Sequence, residues 1–145
     1  MVSELEDAHE SAWIALQRTQ QLACARVEEA LRRAEFPPLA WYDVLLELDR
    51  AGDAGLRPSE LEKRLLLPQY GVSRLLSRIE KAGYIKRRNS TEDGRAQIVA
   101  ITPDGRRLRL KMWRVYSAAL IANVARKISP DEASTLTRLL EKLRN

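Results

Sequence analysis

Apolar residues recur at alternating three- and four-residue spacing near the start of the chain: Leu5, Ala12, Trp13, Leu16, Ala23, Val27, Leu31 and Ala34. The pattern predicts an amphipathic helix over residues 4 to about 34. At the standard rise such a helix is about 46 Å long, against a radius of gyration of about 15 Å for a domain of this size. Its stripe therefore outruns the core of one chain. Pro37 and Pro38 stop it, and a second helix is predicted over 39–51, with Leu39, Tyr42, Leu45, Leu46 and Leu48 as its inner side. A third is predicted over 60–67. A fourth is expected to open at Pro68 and to carry Val72, Leu75, Leu76 and Ile79 inward.

Two short β-type runs, 84–88 and 97–102, flank a polar loop and predict a hairpin. A long helix is then predicted over 104–128, apolar on nearly every side between Met112 and Ala125, which is the pattern of a helix buried all round. The last helix, 130–144, presents Leu136, Leu139, Leu140 and Leu143.

Local signals place the ends. A serine followed three residues later by glutamate satisfies two orphan backbone donors at a helix start, and the pairs are Ser3/Glu6, Ser59/Glu62 and Ser129/Glu132. Pro130 and Pro103 suit the first helical position. Gly52 and Gly83 fall where a left-handed residue closes a helix, with Tyr84 folding back on Ile79.

The expected fold is mainly α with a small β-wing, a winged helix-turn-helix flanked by N- and C-terminal dimerisation helices. One protomer spans 1–145. Its DNA-binding lobe covers 39–102, with the helix-turn-helix at about 59–82 and the wing at about 84–102; residues 3–34 and 103–145 form the dimerisation helices.

Charge sharpens this picture. Residues 1–56 carry five Lys/Arg against eleven Asp/Glu, whereas 57–95 carry ten against five and 96–145 ten against four. From Lys63 to Ser90 eight basic residues face only Glu80, the footprint of a surface made for a phosphate backbone. In a helix-turn-helix the second helix lies in the major groove. The outer face of the fourth helix offers Gln69, Ser73, Arg74, Ser77, Arg78 and Lys81. Arg74 and Arg78, one turn apart, can each fork onto a guanine, and Gln69, Ser73 and Ser77 suit phosphates and bases. Tyr70 can pack on a sugar or a thymine methyl. On the wing, Arg95 suits the narrow minor groove, held by Asp93, while Lys86, Arg87 and Arg88 grip phosphates.

These residues resemble the MarR (multiple antibiotic resistance regulator) family of bacterial transcription factors. The likeness rests on the element order, on the run from Val72 through Ser73-Arg74, Ile79-Glu80-Lys81 and Gly83-Tyr84-Ile85, and on Asp93 and Arg95 followed by Ile101-Thr102. The resemblance implies a homodimer built from the first, fifth and sixth helices, bound to a pseudo-palindromic operator on double-stranded DNA. It further implies a regulator, commonly a repressor, often released by a small aromatic or phenolic effector. Trp13, Trp41, Tyr42, Met112, Trp113 and Tyr116 lie on the helices that would line such a site, although aromatics at helical spacing also serve as core.

Two other readings stand beside this one: a winged helix that binds an acidic protein, and a thiol redox sensor using Cys24. Cys24 lies among Ala23, Ala25 and Val27, the setting of an inert small hydrophobe. One cysteine and one histidine, His9, which reads as a solvated surface residue, allow neither an internal disulfide nor a metal site, and no catalytic set can be assembled. The expectation is a cytoplasmic regulator that needs no cofactor and no membrane, not an enzyme.

Overall fold

The structure, a computed structural model, describes residues 4–66, 71–90, 94 and 96–145. The chain runs α1 (Asp7–Arg33), α2 (Leu39–Ala51), a 3-10 turn (Gly52–Ala54), α3 (Pro58–Arg64), α4 (Val72–Lys81), β1 (Ile85–Asn89), β2 (Gln97–Ile101), α5 (Pro103–Leu120), a π turn (Ile121–Ala125) and α6 (Pro130–Arg144). These elements gather into two compact units. One is Leu31–Val115; the other joins Met1–Ala30 with Tyr116–Asn145. The boundaries fall inside α1 and α5, so each of these helices contributes to both units.

In the Leu31–Val115 unit, Leu31, Val44, Leu45, Leu48, Leu61, Leu76, Ile79, Val99 and Met112 are all fully buried. The apolar stripes expected of α2 and α4 supply most of this core, as the 3.6-residue period requires. β1 and β2 pair antiparallel, with Ile85 opposite Ile101 and Arg87 opposite Val99. Leu56 adds a single bridge to the outer edge of β2, its N–H donating to Val99 O at 2.9 Å and its carbonyl accepting from Val99 N–H at 2.8 Å. Gly55 permits that approach. Its φ is +67°, and a Cβ there would lie 2.4 Å from the Val99 oxygen.

Several ends depart from the sequence expectation. The Ser3/Glu6 box and the expected start at Pro68 involve residues outside the described ones. α1 begins instead at Asp7, where Glu6 O accepts from the N–H groups of His9 and Glu10, and the His9 ring accepts from Glu6 N–H. α3 begins at Pro58, two residues before the start expected from the Ser59/Glu62 pair, and ends at Arg64. Proline takes the first helical position, and Glu60 reaches back to the Arg57 N–H at 3.2 Å. α4, as described, spans Val72–Lys81, with Gly71 as its N-cap at φ +76°. The Ser129/Glu132 box forms with both bonds in place, and the Ser129 backbone N–H holds the Glu132 carboxyl below its ordinary range.

Gly52 and Gly83 close α2 and α4 in positive φ, and Tyr84 N–H bonds back to Ile79 O at 3.2 Å. α1 closes differently. Glu35 holds φ +61° while Phe36 N–H donates to Leu31 O, so a residue with a Cβ occupies the left-handed closing position. Glu35→Gly is therefore expected to stabilise the protein by about 0.5–1 kcal/mol, read as a thermal midpoint higher by a few degrees. An unchanged or lower midpoint would show the conformation to be unstrained.

The all-round burial expected of residues 112–125 does not occur within this chain. Met112 and Ala119 are buried, but Ile121 and Val124 are exposed. No residue of α6 is buried, and Leu136, Leu139 and Leu143 face solvent along one stripe. Trp13 and Leu22 of α1 are exposed as well, Trp13 being 62% exposed. The hydrophobic pattern is present, but within this chain it is left open to solvent.

Candidate nucleic-acid interface

α4 carries the positive surface. Val72, Leu76 and Ile79 anchor it in the core, which turns Ser73, Arg74, Ser77, Arg78 and Lys81 outward, all of them exposed. Arg74 and Arg78 have no ion-pair or hydrogen-bond partner among the described residues. Two guanidiniums one turn apart keep their full set of donors for an outside acceptor. Ser73 stands beside them. Ser77 is less free, since its hydroxyl donates to Ser73 O at 3.0 Å and accepts from Arg87 at 3.3 Å. Gln69, Tyr70, Asp93 and Arg95 lie outside the described residues.

The three strand cations divide. Lys86 is exposed, with no partner among the described residues. Arg88 shares the strand face of Lys86, and its Nη2 donates to the carbonyls of Asp53 and Ala54 at 3.0 Å each. Arg87 departs from the expectation of a phosphate grip. It points the other way, toward α4, with its side chain 23% exposed; Nε lies 3.5 Å from Glu80 Oε1, and Nη1 lies 3.5 Å from Gln97 Oε1.

Two acids that sequence reasoning did not single out hold this lobe together. Asp43 is buried on α2, and its Oδ2 accepts from Leu66 N–H at 2.7 Å, fastening the chain beyond α3. A carboxylate in the apolar run from Tyr42 to Leu46 was the available signal. Asp49 accepts from Arg106 at 3.3 Å and from Arg109 at 2.6 Å, joining α2 to α5. Burial works against the Arg109 charge, but its bonds to Asp49 and Tyr42 and the Asp49 charge outweigh that and raise its pKa. Arg106 also reaches Asp53 at 3.3 Å, so the 3-10 turn is held from α5 and from β1.

The aromatic candidates are distributed over both units. Tyr42 stacks on Trp113, with centroids 6.1 Å apart, and both Tyr42 and Met112 are core side chains. Trp41 meets Tyr84 edge to face at 6.2 Å. Trp13 and Tyr116 belong to the other unit. Cys24 is half-buried on α1, and its neighbour is a neutral amide, Gln20, at 3.5 Å. No helix among the described residues is long and apolar enough to cross a membrane.

Known proteins share this arrangement. The model of the MarR family matches residues 37–96, the stretch from α2 to the wing. The HTH-type transcriptional regulator PrsX of Escherichia coli is 38% identical over 64 residues, 44% of this chain and 39% of that protein, so the chain spans about two-fifths of that relative's length. The multiple antibiotic resistance protein MarR of Salmonella typhimurium is 30% identical over 102 residues, 70% of this chain and 69% of that one. Sco3205, a MarR family transcriptional regulator from Streptomyces coelicolor solved in complex with DNA, superposes with a TM-score of 0.88 over 99% of this chain and 90% of its own, at 20% identity, which establishes the shared winged-helix fold. With its wing, its outward basic helix and a 30% identity carried over two-thirds of both chains, the chain belongs to the MarR family of transcriptional regulators.

Proposed function

We propose that this protein binds double-stranded DNA sequence-specifically as a homodimer, on a pseudo-palindromic operator, and acts as a repressor. The observation that carries the reading is the exposed Arg74 and Arg78 pair on α4, without partners among the described residues and in a stretch almost free of acids. Such groups read guanine edges while Lys86 takes a phosphate. Arg95, with Asp93 beside it in sequence, is assigned to the minor groove. Pairing of two copies through α1, α5 and α6 would cover the exposed Trp13, Leu22, Leu136, Leu139 and Leu143. The two recognition helices then enter successive major grooves roughly 34 Å apart. A small aromatic ligand acting through the aromatic helices is the effector class assigned.

The test is fluorescence anisotropy with a duplex from the upstream region of the protein's own gene, titrated in salt. The affinity is expected to fall with a log–log slope of about −0.9 for each phosphate contacted. A slope near zero would remove the DNA reading and favour an acidic protein partner.

A further inference from the structure

We propose that Arg87 is a positioning residue that sets the wing against the recognition helix, and not a phosphate ligand; this rests on the DNA-binding reading above. Strand alternation places Ile85 and Arg87 on one face of β1 and Lys86 and Arg88 on the other. Ile85 is buried, so the face Arg87 shares is the one turned to the core and α4. There its guanidinium spans three groups on two elements. It reaches Ser77 Oγ on α4 and Gln97 Oε1 on β2, while its buried Nε, without a hydrogen-bond partner among the described residues, lies 3.5 Å from Glu80 Oε1 on α4. To grip a phosphate it would have to abandon all three.

The planar fork explains why arginine stands here. A guanidinium can donate in several fixed directions at once, whereas a lysine ammonium is a single point charge and cannot reach both α4 and β2. The bridge has a second effect. By engaging the Ser77 hydroxyl, which already donates to Ser73 O, Arg87 leaves Ser73, Arg74 and Arg78 as the groups that α4 presents to the major groove. With α4 and β1 held at one angle, the major-groove arginines and the wing residues meet DNA at a fixed separation.

The experiment compares Arg87→Lys, Arg87→Ala and Lys86→Ala by anisotropy across a salt series, with the full-length protein. Both Arg87 variants are expected to weaken cognate binding about tenfold while leaving the salt slope unchanged, because no phosphate contact is lost. Lys86→Ala should flatten the slope by about 0.9. A lysine that restores wild-type affinity, or an Arg87→Ala slope that flattens as the Lys86→Ala slope does, overturns the proposal. Thermal unfolding of Arg87→Lys, Glu80→Gln and the double variant tests the bridge without DNA. Non-additive shifts of the midpoint support it and strict additivity overturns it. Wild-type protein that binds no duplex would remove the functional reading itself, a result distinct from a variant slope that fails while wild-type binding stands.

Discussion

Replacing Arg74 and Arg78 together by alanine should lower affinity for the cognate duplex by between about thirtyfold and about twenty-thousandfold. Each guanidinium that forks onto a guanine discriminates by about 1–3 kcal/mol, and the two act one turn apart on the same face. Non-cognate DNA should lose far less, since it never offered the matching edges, so the ratio of specific to non-specific binding collapses. The fold should be indifferent. Both side chains are exposed with no partner among the described residues, and such surface changes usually stay within about 0.5 kcal/mol. Anisotropy on cognate and scrambled duplexes, with a melting curve on each variant, separates these effects. An equal loss on both duplexes would mean that the arginines only neutralise phosphates.

Gly105→Ala should be a strongly damaging small substitution in the Leu31–Val115 unit. A Cβ at this position would lie 2.2 Å from Tyr84 O and 2.8 Å from Ile101 Cγ1, and the nearest atom is backbone that cannot swing aside. The Tyr84 carbonyl is itself engaged, accepting from Thr102 N–H at 3.0 Å. Thr102 completes the junction: its hydroxyl donates to Gly83 O at 2.7 Å and accepts from Gly105 N–H at 3.1 Å. The first turn of α5, the end of α4 and the return of the wing meet at this point. Forcing a methyl into it should cost roughly 3 kcal/mol, the upper range for overpacking, and lower the thermal midpoint by about 10 °C. A midpoint within a degree or two of wild type would show that α5 can lift off Tyr84 at little cost.

The positions that followed from local chemistry and those that did not differ in kind. α2 was legible to the residue because Pro38, an unbroken apolar stripe and Gly52 all lie within one short window. α6 was equally legible, as Ser129, Pro130 and Glu132 form a complete start signal in four consecutive residues. The outward basic face of α4 followed from its period alone. The left-handed conformation of Gly71 at its N-cap did not, because the apolar period of the helix carries no signal of it.

Arg87 shows the limit most clearly. In the string Lys86-Arg87-Arg88 the three cations are alike, and composition assigns them one task. Strand alternation separates Arg87 from the other two, but which face turns to α4 is decided only when Ile85 is buried. Asp43 and Asp49 behave the same way: a carboxylate at a given position becomes a fastener only when a distant N–H or guanidinium is brought to it, 23 residues on for Leu66 and 60 for Arg109.

What the chain alone determined was the helix periods, most of their ends, the excess of positive charge about α4 and the surplus of apolar surface at its two ends. These depend on residues within a turn or two of one another, where geometry follows from the backbone itself. The tertiary structure decided which cations face outward and which are consumed in holding the lobe, and it seated α5 on Tyr84. Those outcomes depend on contacts between residues far apart in sequence, whose energies exist only once the core has closed.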